Sequence, residues 1–246
     1  MSEGLLREDH DGLCVLTLNR PDKLNALDTP LFERLDGELA ALESQTDRIG
    51  CVLLKGAGKS FCAGADLGQI TTAAPPPPTF KPHVIERLAR LPQPVIASIH
   101  GHCVTGGLEL ALAADIIVAA RTARFADTHG RWGLVGGWGM SQRLPRRIGQ
   151  GQAKRMMFTG CFIDGEEGLR IGLVDLCFAD EMLEAGVQEL AAAVLANSWH
   201  TNRATKSLLV ETEGMSLREG LAHEHYRFPG LAPDYRERIG RFSGRS

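Results

Sequence analysis

Residues 101–116 read GHCVTGGLELALAADI, and one carboxylate in that run decides how the rest of the chain is read. Glu109 stands among glycines and small apolar side chains, where an unpaired charge is hard to solvate. Gly106 and Gly107 mark the point at which strand gives way to helix, so their N–H groups belong to a first helical turn and lack partners there. Glu109 follows Gly106 at a spacing that puts both on one helical face. Donor and carboxylate can therefore look into the same small volume. A first-turn acid also interacts favourably with the helix dipole, which keeps a poorly solvated carboxylate available as a base. The plainer alternative is an N-terminal helix acid with no chemistry.

Upstream, the apolar segments Leu13–Leu18 and Cys51–Leu54 read as strands, and the amphipathic stretch Thr29–Glu43 between them reads as a helix capped by Asp28 or Thr29. The loop KSFCAGADLGQI, residues 59–70, sets Ala63, Gly64 and Ala65 before an acid and a further helix. It repeats the device at 101–116. Two such N-termini at the carboxyl ends of adjacent strands can aim two N–H donors at one oxygen, as an oxyanion hole requires. Gly-Ala turns before helices are common, so the spacing alone does not establish one. Pro75–Pro78 reads as an extended loop within a domain and His83–Arg90 as a helix. Pro94–Ile99 and Asp115–Val118 read as strands, with the quoted run helical between them. This alternation, sustained to about residue 175, predicts an α/β fold with a mainly parallel sheet. Residues 181–225 read as helices rich in Ala, Leu and Glu, and the end FPGLAPDYRERIGRFSGRS is polar with isolated aromatics, a helical tail of a sort that often packs on a neighbouring subunit.

The chain of 246 residues suits one large domain or two small ones, and 43% hydrophobic content supplies a sizeable core. Its net charge of −3 comes from 27 basic and 30 acidic residues mixed along the chain, which argues against nucleic acid as a partner. MSEGLLREDH has no apolar core of signal-peptide length, and the most hydrophobic run, Cys103–Ala120, is broken by Glu109 and Asp115. The expectation is a soluble, cytoplasmic protein with no membrane segment. Six cysteines spread without CxxC pairs read as reduced, buried thiols. The histidines of HGH (100–102) and HEH (223–225) lack partners at ligand spacing, so no metal is expected.

Five segments in order resemble the successive signatures of the enoyl-CoA hydratase/isomerase, or crotonase, superfamily: NRPDKLNAL (19–27), GAGKSFCAGADL (56–67), GHCVTGGLELALAADI (101–116), FADTHGRWGLVGGWGMSQRLPRRIG (125–149) and TGCFIDGEEGLRIGLVD (159–175). The resemblance implies a ββα spiral core over residues 1–180 and a helical C-terminal trimerisation region over 181–246 within the same domain. It also implies a homotrimer or a dimer of trimers, and a substrate held as a coenzyme A thioester with no separate cofactor. By position, the family's two backbone oxyanion donors map to Ala65 and Gly106 and its first catalytic glutamate to Glu109. Ala26 and the segment Ala63, Gly64, Asp66 and Leu67 resemble the coenzyme A contacts, with Lys23 either a phosphate partner or a solvated surface lysine.

The chain departs from the family's pattern at one chemically decisive place. Hydratases of this kind carry a second glutamate in F-G-x-P-E followed by a proline-glycine turn, and here the run is F-A-D-T-H with Gly136-Gly137 after it. His129 stands at the glutamate position. An imidazole with an ordinary pKa near neutrality is a competent proton donor or acceptor, so His129 is either a replacement acid or a structural residue. Asp127 falls on the opposite side if the segment is extended, which makes it the less natural substitute. The expected function is reversible addition of water to a trans-2-enoyl-CoA. Double-bond isomerisation and an acyl-CoA-binding protein without activity are the alternatives.

Overall fold

The computed structural model describes residues 4–72 and 76–243. It opens on a hairpin of β1 (Leu5–His10) and β2 (Leu13–Leu18), joined by Asp11-Gly12 with φ of 47° and 89°. Asp-Gly is the pair that adopts this two-residue turn most readily. No strand is expected from the sequence over β1, because Glu8, Asp9 and His10 are exposed and leave no apolar alternation to read. α1 (Thr29–Glu43) spans the expected residues, and Asp28 is its cap, with Oδ1 accepting the Leu31 N–H at 2.9 Å. β3 (Cys51–Gly56), α2 (Leu67–Thr72), α3 (Phe80–Ala89) and β4 (Val95–Ile99) follow. α3 starts ahead of the expected His83, since Pro82 in a first turn needs no N–H partner. Pro75 lies outside the described residues, and Pro76–Pro78 lead irregularly into α3.

The quoted run is not helical throughout. His102–Val104 is a short strand, β5, and the helix α4 is confined to Gly106–Ala111. β5 owes its conformation to parallel pairing with β7 (Arg124–Ala126), a tertiary partner that local periodicity does not reveal. β6 (Ile116–Ala120), α5 (Met140–Thr159), α6 (Gly165–Arg170) and β8 (Leu176–Phe178) complete this part of the chain. α7 (Leu183–Ala196), α8 (Trp199–Glu211), α9 (Leu217–Tyr226) and α10 (Tyr235–Ser243) form the C-terminal helices.

The main sheet runs β1-β2-β3-β4-β6-β8, antiparallel only between β1 and β2. β5 and β7 make a second, smaller sheet, which Cys62 joins through a parallel bridge to Cys103. One unit therefore recurs: a long strand, a short strand or single bridge, then a helix. It appears as β3–Cys62–α2, β4–β5–α4 and β6–β7–α5, so equivalent points on successive turns of a spiral come side by side. The corner between β4 and β5 requires Gly101, whose φ is +54° and whose Cβ, if it had one, would collide with the Lys59 carbonyl oxygen.

Candidate active site

Cys62 bridges Cys103, and Cys103 stands opposite Phe125, so one residue from each turn of the spiral occupies a single row. Neighbouring strands are about 4.8 Å apart. The segments leaving that row, 63–65, 104–106 and 126–129, therefore open onto a common cleft of about 610 Å³. Ala65, Gly106, Glu109 and His129 all line it, although they come from three different turns.

The backbone at Ala65 is fixed by a bridge to Leu27: the Leu27 N–H donates to the Gly64 carbonyl at 2.8 Å and the Asp66 N–H to the Leu27 carbonyl at 3.0 Å. A residue bridged in parallel by its two neighbours turns its own N–H away from the partner. At Ala65 that direction is the cleft. Ala65 N lies 3.3 Å from where a Cβ on Gly106 would stand, so the two N–H groups are neighbours, and among the described residues neither has a protein acceptor. Thr105 aims the second group. Its φ of 54° and ψ of −116° are strained for a residue with a side chain, at a cost of about 1–3 kcal/mol. A hydrogen bond of 2.6 Å between the Thr105 and Thr128 hydroxyls holds it there.

Glu109 is 1% exposed. Its Oε1 accepts the N–H groups of Trp138 at 2.8 Å, from the glycine-rich run ahead of α5, and of Met140 at 3.0 Å, the first residue of that helix. Oε2 is left facing His129 Nε2 at 3.7 Å. Burial pushes the Glu109 carboxyl above its usual range, against the opposing pull of those N–H donors and of His129. His129 in turn receives Asp127 on its other nitrogen, with Nδ1 to Oδ1 at 2.6 Å. Burial opposes charge on the imidazole, but the Asp127 hydrogen bond and the two flanking carboxylates outweigh it and hold the pKa above the ordinary value. The result is a row of carboxylate, imidazole and carboxylate with its inner end at the N–H corner.

The expected placement of Asp127 is thus corrected. The extended conformation ends at Ala126, and the Asp127 carboxylate turns back to accept the His129 N–H at 3.0 Å with the same Oδ1 that meets Nδ1. An Asp bonding the N–H two residues on is a local turn signal that D-T-H already carries. Lys23, Ala26, Ala63, Asp66 and Leu67 also line the cleft. The Asp66 carboxylate is committed to Arg20 at 2.9 Å, and Lys23 is exposed with no ion-pair partner among the described residues. Gly64, expected among the coenzyme A contacts, is buried and does not line the cleft; its φ of +99° serves the turn before Ala65. Asn25 contributes more than the sequence reading allows. Fully buried with φ of 56°, it donates to the carbonyls of Ala57 and Ser60 at 2.8 and 2.7 Å, tying two cleft-bearing loops together.

The enoyl-CoA hydratase/isomerase family model matches residues 8–234. The Bacillus subtilis protein YngF, named for the same hydratase/isomerase family, is 36% identical over 236 residues, 94% of this chain and 90% of its own. The 1,2-epoxyphenylacetyl-CoA isomerase of Escherichia coli is 32% identical over 252 residues, 98% of this chain and 96% of its own. The crystal structure of enoyl-CoA hydratase from Bacillus anthracis superimposes with a TM-score of 0.93 at 31% identity, covering 98% of this chain and 96% of that one. Agreement of this extent in both sequence and spiral architecture makes the chain a member of the enoyl-CoA hydratase/isomerase, or crotonase, superfamily.

Proposed function

We propose that the protein catalyses reversible addition of water to a trans-2-enoyl-CoA. The observation that carries this reading is the free face of Glu109 Oε2, 3.7 Å from an imidazole held between two carboxylates and beside two uncommitted N–H groups. The thioester oxygen accepts from Ala65 and Gly106, which stabilise it most as negative charge develops in the enolate. Glu109 takes a proton from water as its oxygen bonds to the β carbon. His129, as imidazolium, gives its Nε2 proton to the α carbon. Water is thereby added across the double bond, and transfer of the proton from Glu109 to His129 restores both groups. Asp127 acts through His129 by fixing its orientation and favouring its protonated form.

Lys23, Ala26, Ala63, Asp66 and Leu67 are assigned to the coenzyme A side of the cleft, with the Lys23 ammonium as a phosphate partner. Self-association through the C-terminal helices, as a trimer or a pair of trimers, is supported by exposed apolar side chains there, including Leu217, Leu221, Tyr226 and Phe228. Six unpaired cysteines support a reducing, cytoplasmic setting, and no helix among the described residues is long and apolar enough to cross a membrane.

The test is incubation with crotonyl-CoA and mass-spectrometric detection of 3-hydroxybutyryl-CoA. Turnover that disappears in Glu109→Gln supports the reading. Exchange of α hydrogen for deuterium without hydration would replace it with double-bond isomerisation, and acyl-CoA binding with neither reaction would leave a binding protein.

A further inference from the structure

One wall of the cleft is shared with a second space. Trp138 lines it beside Glu109, and the same residue, with Gly137, also lines a second cleft of about 560 Å³ bounded by α3 and the start of α5, including Thr79, His83 and Gln142. Trp138 therefore borders both spaces. Its position is fixed on several sides. Cζ3 would lie 2.5 Å from a Cβ on Gly106, so the ring rests directly on the backbone of a proposed oxyanion donor. Its edge packs on Phe32 with ring centroids 5.0 Å apart, and Lys81 Nζ stands 5.6 Å from its centroid. The Trp138 backbone is held as well, its amide N–H donating to Glu109 Oε1 at 2.8 Å and its carbonyl accepting from Arg143 at 3.1 Å.

We propose that Trp138 is the residue that sets acyl-chain length, and that the protein's substrates are short-chain enoyl thioesters. The proposal rests on the functional reading above and goes beyond it by naming the substrate class. A thioester gripped at Ala65 and Gly106 directs its α and β carbons past Glu109 and His129, immediately beside the indole. Carbons further along the chain meet that ring, while the same residue borders a second volume able to hold them. A larger acyl group must displace an aromatic side chain that packs on Phe32 and Gly106. A short group leaves it in place.

The experiment compares wild type, Trp138→Ala and Trp138→Phe. Binding of butyryl-, octanoyl- and dodecanoyl-CoA is measured by calorimetry, and kcat/KM is measured for the matching enoyl-CoA esters. In the wild type, affinity per added carbon should fall beyond the short chain. Trp138→Ala should raise the ratio of dodecanoyl-CoA to butyryl-CoA affinity at least ~10-fold, since each buried methylene contributes about 0.8 kcal/mol. Trp138→Phe, which keeps an aromatic ring and the fold, should give a smaller shift in the same direction. Phe158→Ala, an exposed aromatic on α5 that lines neither cleft, should leave the ratio unchanged. An unchanged ratio in Trp138 variants that still bind butyryl-CoA overturns this proposal alone. Failure of the wild type to bind any acyl-CoA overturns the functional reading and this proposal with it.

Discussion

Among the described residues two groups of charges are withdrawn from water, one almost wholly and one, at Asp115, only in part, and they are built differently. Lys206 on α8 and Asp115 ahead of β6 pair at 2.7 Å; Lys206 Nζ also donates to the Gln93 carbonyl at 3.0 Å, and the same Asp115 oxygen accepts the Val95 N–H at 2.7 Å. Burial pushes the lysine down and the aspartate up, but opposite charges are matched one to one and directly bonded. That pair fastens the C-terminal helices to the sheet. Glu109, His129 and Asp127 hold two carboxylates against one imidazole, and the inner gap of 3.7 Å is too long for a hydrogen bond. Only one oxygen of Glu109 is satisfied by backbone, and the other faces the cleft. A structural buried charge uses its bonding capacity; a reactive one keeps part of it open.

The comparison is broken most severely by Glu109→Gln. It preserves shape and removes the base, so kcat for crotonyl-CoA hydration should fall by ~10²- to 10⁴-fold, measured on purified protein. Stability should move the other way. A carboxyl whose folded pKa is raised contributes stability below its unfolded pKa and loses it as pH rises through the folded value, so the ionised group is a burden at neutral pH that the amide lacks. Thermal melting at neutral pH should therefore show Glu109→Gln at least as stable as wild type, and a clear drop in Tm would place Glu109 with the structural charges.

Lys206→Ala should give the opposite signature. Removing the buried ammonium leaves the partly exposed Asp115 carboxylate and the Gln93 carbonyl without that donor, which destabilises by about 1–3 kcal/mol, visible in denaturant titration, while kcat of the remaining folded protein stays near wild type. If unfolding is unaffected, the pair does not fasten the helices.

Gly106→Ala sharpens the account of the N–H corner. The added methyl meets the Trp138 ring, and displacement of one oxyanion donor lowers kcat by about 10²- to 10³-fold with a smaller effect on acyl-CoA affinity. Unchanged kcat would remove Gly106 from the grip.

The smallest expected change is in pH dependence. Activity needs Glu109 ionised and His129 protonated, so the rate falls on the acid side through a limb above the ordinary carboxylate range and on the alkaline side through a limb above the ordinary imidazole range. Asp127→Asn removes a charge that favours imidazolium, and its alkaline limb should move to lower pH. His129→Gln, which removes the proposed acid itself, should abolish that limb and lower kcat, and His129→Glu should retain activity with a different profile. Identical pH profiles in wild type and His129→Gln would show that the imidazole is not the acid.

Helices with a continuous apolar stripe, such as α1, and strands dense in β-branched and aliphatic residues, such as β4, were legible because their burial is written in local periodicity. The superfamily was legible for a different reason: its signatures sit at the spiral's corners, where glycine and small residues are required by backbone geometry. β1 was hidden by its polar outer face, and β5 by a helical-looking neighbourhood that long-range pairing overrides. Composition and order of residues determined an α/β chain with Glu109 beside an N–H donor. Only the tertiary structure decided that Asp127 turns back onto His129, that Asp66 is held by Arg20, and that Trp138 borders two clefts. Those outcomes depend on distances between segments far apart in the chain. Local sequence specifies backbone preference and burial, whereas the partner of a side chain is set by which turn of the spiral arrives beside it.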